Sequence, residues 1–471
     1  MTREEAQALF AQGEEPVIGK LLEQDTRIRE LEGRCATDSH NSSKPPSTDG
    51  FHKPAPKSLR KKIGRKPGGQ KGHRGSTLAL SDKPDEVVPH PLPACPCGCD
   101  LSKRSPEAIE RRQVHDFPRP RMHVTEHRYE IKTCPDCHRV VSSAQDAPKD
   151  ISAPVQYGPR ILALCVYLKT YQLLPFKRCA ELIRELFGGT LCEGTLAKMI
   201  SKVGDSLEAP LAAIREMLIG SGVAHFDETG VSVRGKRHWL HVASTSKVTL
   251  YTIHSKRGTK AMDAMGVLPY FKGRAIHDHW KPYYTYKGCR HGLCNVHHLR
   301  ELTFVDEQMH QPWARLMMDL LIQIKSAVDT AKASNLREFD DKTTTAFKRR
   351  YVAIIATGIA ANPAPVPVPG RRGKPKDTKS GNLVRRLKGH RQEVLAFMYD
   401  FSVPFGNNIA ERDLRMMKVQ QKISGTFRAD VGGVTFCRIR SYLSTAAKHC
   451  LSALDVLAMA IKGSPFMPIS D

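Results

Sequence analysis

The chain has 471 residues, with 73 Lys and Arg against 48 Asp and Glu, giving a formal net charge of +25. That length supports about three domains with a sizeable core, and that charge points to a polyanionic partner, nucleic acid first and an anionic membrane surface second. The longest apolar run, Ile161 to Leu168, falls far short of the roughly 18 residues a membrane span needs, and the N-terminus has no apolar signal core, so a soluble intracellular protein is expected, with its 13 cysteines as metal ligands or buried thiols rather than disulfides.

Residues 1–40 are charged, with Val17, Leu21, Gln24, Ile28 and Leu31 at the spacing of a coiled-coil seam. The pattern covers barely two heptads, so a coiled coil and a lone amphipathic helix packed on its own protein both stand as readings. Residues 41–85 change character: NSSKPPSTDG and GRKPGGQKGHRG are rich in Gly, Pro, Ser and base, and no acid occurs between Gly50 and Ser81. Such a segment cannot bury enough apolar surface to fold alone. Arg60, Lys61, Lys62, Arg65 and Lys66 read as a flexible arm tracking phosphates.

Residues 86–150 hold Cys95-Pro-Cys97-Gly-Cys99 and then Cys134-Pro-Asp-Cys137. The second pair has knuckle spacing, and the alternation in Val114 to Lys132 reads as strand, so a small zinc ribbon is expected, its Zn²⁺ held by Cys95, Cys97, Cys134 and Cys137 with Cys99 as the alternative ligand. Four thiolates would close the shell, making this zinc structural. Residues 151–220 are helical in pattern, from Ile161 to Leu168, Phe176 to Phe187 and Thr195 to Ile219. The pair around Gly188-Gly189 reads either as a helix-turn-helix or as a plain supporting bundle. Cys165, Cys179 and Cys192 read as buried thiols.

Residues 221–435 carry the chemistry. Gly222 to Asp227 reads as a short strand ending in a carboxylate, followed by strands Arg237 to Ala243 and Val248 to His254, a helix near Thr259 to Met265, and the strand Gly273 to Asp278. Asp227 and Asp278 can then sit at the ends of adjacent strands. Far downstream, Gly406 and two Asn read as a helix start that places Glu411 on a face with Asn407 and Arg415. Three such carboxylates suit Mg²⁺ or Mn²⁺, and a pair of these ions roughly 3.5–4 Å apart can clamp a phosphodiester undergoing in-line displacement. Glu228, Asp263, Asp400 and Asp413 are rivals for these places. Cys289, His291, Cys294, His297 and His298 read either as a second metal site or as a packed helix start; Trp280 and Tyr283 read as core or rim. A helical insertion spans about 300–400, with a Pro-rich connector from Asn362 to Gly370 and a basic tract to Lys376. Arg412, Arg415 and Lys418, with Lys422, Arg428, Arg438 and Arg440 beyond, are expected to grip a phosphate backbone. Residues 436–471 form a C-terminal helical element.

HFDETG, HWLHVAST, YTIHSKRGTKAMD, AIHDHWKPYYTY, CNVHHLREL, VPFGNNIAERDLRMMKVQQKISGTFR and FCRIRSYLST occur in that order. Together they resemble the transposase of insertion sequence family sixty-six. The resemblance implies an α/β chain with a ribonuclease-H-like mixed-sheet core and a DDE triad on Asp227, Asp278 and Glu411. It also implies two-metal cleavage of element ends in the bacterial cytoplasm, at the nucleoid, and strand transfer into target DNA. The implied partners are double-stranded DNA (terminal inverted repeats and target), further copies of the chain in a synaptic complex, and accessory proteins of the same element. Cys294 and His297 resemble the Cys-x-x-His signature that many transposases carry after the second Asp. Two other classes remain open: a nuclease on the same scaffold that does not join strands, and an inactive zinc-containing DNA-binding protein.

Overall fold

The computed structural model describes residues 2–42, 77–118, 120–146, 148, 151, 153–365, 375 and 377–469. The basic arm with Arg60, Lys61, Lys62, Arg65 and Lys66 lies outside the described residues, as does most of the Gly370–Lys376 tract. Two helices open the chain, α1 (Arg3–Phe10), begun by a Thr2–Glu5 capping box, and α2 (Glu14–Cys35). The predicted seam is solvent-facing, with Leu21, Ile28 and Leu31 between 44 and 58 % exposed. Just beyond α2, His40 approaches Glu307 at 3.4 Å and ties this region to the later half of the chain.

A two-stranded ribbon follows, β1 (Ile131–Thr133) against β2 (Val140–Ser142). The strand expected over Val114 to Lys132 shrinks to these last residues. The rest has no partner strand among the described residues, and Val114 and Val124 stay 92 and 85 % exposed. Next come α3 (Pro159–Val166), running into a π-turn at Tyr167–Tyr171, then α4 (Phe176–Phe187), α5 (Glu193–Asp205) and α6 (Glu208–Ile219). Gly188, at φ 70°, ends α4 in the left-handed region that glycine tolerates. The single helix expected from Thr195 to Ile219 is two: Ser206 turns back to bond the Val203 carbonyl at 2.9 Å, and α6 restarts beyond it with Pro210 in its first turn. Cys165 and Cys179 are buried as expected, whereas Cys192 is exposed, its thiol accepting the Thr195 N–H at the start of α5.

The centre is a five-stranded mixed sheet: β3 (Val223–Val233), β4 (Lys236–Ser244), β5 (Thr249–His254), then α7 (Thr259–Met265), β6 (Arg274–His277) and β7 (Arg290–Leu293). Its order is β5-β4-β3-β6-β7, with the first three antiparallel and β6 and β7 parallel to β3. Arg234 and Gly235, at φ 51° and 74°, make the two-residue hairpin between β3 and β4. Beyond β7 come α8 (Asn295–Met309), α9 (Pro312–Ala333), α10 (Asp341–Ala361), α11 (Lys379–Gly389) and two short helices, α12 (Arg391–Val394) and α13 (Ala396–Tyr399). These helices, over the stretch read as an insertion, share a core of their own around Trp313, Leu321, Tyr351 and Leu387, which also receives Ile276 and Leu293 from the sheet. Then α14 (Asn408–Ser424), α15 (Asp430–Lys448) and α16 (Ala453–Ile461) close both sheet faces.

Which side chain meets which layer follows from the pleat. On β3, Ala224 and Phe226 enter the core shared with α5, α6, α15 and α16, whereas Val231 and Val233 enter the one shared with α14. Successive side chains alternate faces. Asp227 therefore belongs to the α14 face and Glu228 to the opposite one. On β6, Ile276 enters the insertion core and Ala275 the other, so Asp278 follows Ile276. Among the described residues, no helix is long and apolar enough to cross a membrane.

Candidate active site

Asp227 is not at the end of its strand, as the sequence suggests, but in the middle. Antiparallel pairing with β4 runs on to Val233, while parallel pairing with β6 stops at His225 opposite Ile276. Carrying that register two residues further sets Asp278, the residue just past β6, beside Asp227. Each carboxylate is oriented by its own turn: Asp227 Oδ1 accepts the Glu228 N–H at 2.8 Å, and Asp278 Oδ1 accepts the Trp280 N–H at 2.9 Å. Burial drives the Asp227 carboxyl well above the usual carboxylate range, and the charges of Glu228, Asp278 and Glu411 add to that.

Glu411 lies in the first turn of α14, and the start of that helix is fastened to the sheet. Asn407 is 2 % exposed and leaves the cap without a side-chain bond. Instead its Nδ2 donates to the Phe226 carbonyl at 2.8 Å, and its Oδ1 meets His225 Nδ1 at 2.8 Å. An amide oxygen only accepts, so the His225 ring donates in that second bond, and burial lowers His225. The Asn407 N–H points at Cys294 Sγ, 3.2 Å away. Gly406 makes this approach feasible, because a Cβ there would stand 2.8 Å from Val296.

Cys294 and His297 flank the start of α8. The thiol is 3.8 Å from Glu411 Oε1, and His297 Nδ1 is 3.9 Å from the same oxygen. Ligand atoms of Cys294, His297 and Glu411 all lie within 4.8 Å of one another, and Asp227 and Asp278 are outside that set. Burial pushes the Cys294 thiol up to about 12.

The rival carboxylates are engaged elsewhere. Glu228, 2 % exposed, takes two N–H bonds from Arg257 at 2.7 and 2.9 Å and the Tyr283 hydroxyl at 2.6 Å. The Arg257 guanidinium is sandwiched between Trp239 and Trp280, at 4.7 and 4.1 Å from their centroids. Asp413 accepts from Ser244, Thr249 and Lys448, Asp263 from Tyr286, and Asp400 from Ser402. Among the described residues, no Lys or Arg pairs with Asp227 or Asp278.

Tyr283 is buried and Trp280 partly so, the core and rim places expected of them. Arg412, Arg415 and Lys418 lie exposed along α14, with Lys422 a turn further. Arg438 is instead paired with Asp205 and Glu208, and Arg440 stacks on Tyr171 at 4.7 Å. The roles of three residues escape sequence reading. Tyr283 stacks on His277 at 4.4 Å and so links Glu228 to the strand that carries Asp278. Arg386, from the insertion, pairs with Glu301 close enough to feel the charge of Asp278, and burial lowers it to about 10. No sequence signal marks Arg386, since α11 reads as one basic helix among several. Asn407 had a signal, but it read as a helix cap.

In the ribbon, the Cys95 N–H donates to the Cys99 carbonyl at 2.9 Å and Gly98, at φ 92°, turns the loop. The Cys134 N–H donates to Arg139, and His138 donates back to Cys134, both at 2.9 Å. Neighbouring N–H groups lower the Cys97 and Cys134 thiols. Among the described residues, no set of three or more ligands joins Cys95, Cys97 or Cys99 to Cys134 and Cys137 within reach of one ion.

Residues 1–79 match a family of unknown function, DUF6444. A comparison with curated proteins found no match. Residues 154–435, which hold the whole sheet, the insertion and Asp227, Asp278 and Glu411, match the family described as transposase IS66 family. With more than half of its length inside that match, the chain belongs to the transposase IS66 family.

Proposed function

We propose that this transposase cleaves the ends of its element and transfers them to target DNA at Asp227, Asp278 and Glu411, on a ribonuclease-H-like core. One observation carries the reading: Asp227 and Asp278 share a sheet face on neighbouring parallel strands, unpaired by any described Lys or Arg, while Asn407 fastens the helix of Glu411 to that face. Strand order supports the core, with three antiparallel strands followed by two parallel ones and helices on both faces.

The donor set fits hard divalent cations. It consists of carboxylate oxygens, and burial, with the charges of neighbouring acids added, already raises Asp227. Asp227, Asp278 and Glu411 would hold two Mg²⁺ or Mn²⁺, which when bound supply Lewis acidity to the attacking and departing oxygens. The protein's own residues do the rest. Asp227 and Asp278 are aimed by the N–H groups of Glu228 and Trp280. Arg412, Arg415 and Lys418 form an exposed cationic row on the helix of Glu411, suited to phosphates of double-stranded DNA. Arg386 adds positive charge within electrostatic reach of Asp278.

The ribbon cysteines fit a structural Zn²⁺ once the two loops close on each other, with Cys95 and Cys97 (or Cys99) meeting Cys134 and Cys137. Its exposed apolar residues, Val114, Val124 and Ile131, support a fold that depends on metal.

Labelled end-DNA, supercoiled target and Mg²⁺ or Mn²⁺ test the proposal. Products longer than the input are expected, and Asp227→Ala, Asp278→Ala or Glu411→Ala should abolish cleavage and joining while DNA binding persists. Shortened products alone would reduce the reading to a nuclease, and binding without either product would leave only a DNA-binding protein.

A further inference from the structure

A second cluster of chemically competent side chains, outside the carboxylate cleft, lies at the start of α8. Cys294, His297 and Glu411 put a sulfur, a ring nitrogen and a carboxylate oxygen within 4.8 Å of one another. This is a different donor set from Asp227 and Asp278, because sulfur and imidazole favour thiophilic cations over Mg²⁺. We propose that Cys294, His297 and Glu411 form a second site, for Zn²⁺ or Co²⁺, that shares Glu411 with the carboxylate cleft, so that the two kinds of cation compete for one side chain.

Three independent observations carry this. First, the distances fit: tetrahedral Zn²⁺ bonds near 2.0–2.3 Å place neighbouring ligand atoms roughly 3.3–3.6 Å apart. The observed 3.8 and 3.9 Å to Glu411 Oε1 need only a small torsion to close. Second, His297 Nδ1 is buried, faces Glu411 and has no hydrogen-bond partner among the described residues. An orphaned ring nitrogen is costly, and a cation would satisfy it. Third, a supporting shell is present: the Asn407 N–H is directed at Cys294 Sγ from 3.2 Å, and Asn407 itself is held by β3.

Access and an open position are also available. Glu411 and His297 are each 22 % exposed at the side chain, whereas Cys294 is 1 % exposed at the floor. Three protein ligands leave a fourth position for water or a phosphate oxygen. Occupation would draw Glu411 Oε1 towards the sulfur and away from Asp227 and Asp278. A thiophilic cation would therefore inhibit the hard-metal reaction at its third carboxylate. The inference takes from the proposed function only the role of Glu411, and its main test does not depend on catalysis.

That test is an anaerobic Co²⁺ titration of the full chain, counting bound ions and following the thiolate-to-cobalt charge-transfer band. Cys294→Ser and His297→Gln are each expected to bind one Co²⁺ fewer than the parent, while Asp227→Asn keeps the parental count. Equal counts in the parent and His297→Gln overturn the proposal. His297→Gln decides alone if Cys294→Ser does not fold. In the strand-transfer assay at fixed Mg²⁺, the Zn²⁺ concentration for half-inhibition should rise about tenfold or more in His297→Gln, and an unchanged value refutes the competition. If Asp227→Ala stays active, the proposed function fails while the cobalt count still stands or falls by itself.

Discussion

Glu411 and Asp413 are two residues apart on one helix, and opposite outcomes are expected when each is made its own amide. Asp413 and Lys448 are buried partners, 11 and 12 % exposed, with Nζ to Oδ2 at 2.9 Å. The same oxygen takes hydroxyl bonds from Ser244 at 2.6 Å and Thr249 at 2.9 Å. Asp413→Asn leaves the ammonium without its counter-charge, and breaking a buried pair from one side costs about 3–5 kcal/mol. Lys448 keeps the Ser244 hydroxyl and the Thr245 and Val248 carbonyls at 2.6–3.2 Å, which puts the loss near the lower figure, about 3 kcal/mol. Glu411 is more exposed and, among the described residues, has no Lys or Arg partner, so Glu411→Gln should change stability by no more than about 0.5 kcal/mol. Its end cleavage should nevertheless fall at least about a hundredfold, the scale of losing one preorganised charge. Urea denaturation and cleavage of labelled end-DNA, run on both variants, separate the two roles. An Asp413→Asn protein that is as stable as the parent but inactive, beside an active Glu411→Gln, would refute the choice of third carboxylate.

Asn407→Ala strands the Phe226 carbonyl and the His225 N–H, each bonded at 2.8 Å in the parent, so a loss of about 2–4 kcal/mol is expected in urea denaturation, together with loss of cleavage. Tyr283→Phe removes the 2.6 Å bond to Glu228 but keeps the stack on His277; a loss of about 1–3 kcal/mol is expected, and cleavage should fall with it, whereas unchanged cleavage would show that this link does not position the carboxylates. His241 is 2 % exposed, and burial lowers it from 6.5 to about 4. Its neutral form therefore contributes stability that is complete above the unfolded value and is lost as pH falls from about 6.5 towards 4, at most about 3 kcal/mol at 1.36 kcal/mol per pH unit. Denaturation midpoints of His241→Gln measured across that range should be flatter than those of the parent.

The elements that carry the site were legible because their signals are local. Strand alternation, the helix at Thr259–Met265 and the glycine-marked turn all depend on neighbours a few positions away. The limits of β3 were not legible. Whether a strand stops at Asp227 or runs on to Val233 depends on the length of its partner β4, which no residue of β3 encodes. The ribbon failed in the opposite direction: Val114 to Lys132 alternates like a strand, but alternation predicts a strand only where another strand is present to pair with it. Cys192 was misread for a related reason. Apolar neighbours in sequence suggest burial, but the residue sits at a helix start where its thiol serves as a cap.

Choosing among the acids shows how far sequence reasoning reaches and what completes it. Asp227 and Glu228 are consecutive, and composition cannot say which serves chemistry. Pleating separates them absolutely, because one step along a strand reverses the face. Phe226 is in the core shared with α5, α6, α15 and α16, and Val231 is in the α14 core, so the parity of two apolar residues assigns both carboxylates. Glu228 is thereby committed to Arg257 and Tyr283, and Asp227 faces the helix that brings Glu411. The aromatic pair around Arg257 makes that commitment firm, since a guanidinium held between Trp239 and Trp280 is not free to swing across the sheet. A buried acid with a fixed counter-charge is structural, whereas one beside other acids with no counter-charge is suited to a cation from outside. That contrast, and not proximity alone, sets Asp227 and Asp278 apart from Glu228 and Asp413, which hold Arg257 and Lys448.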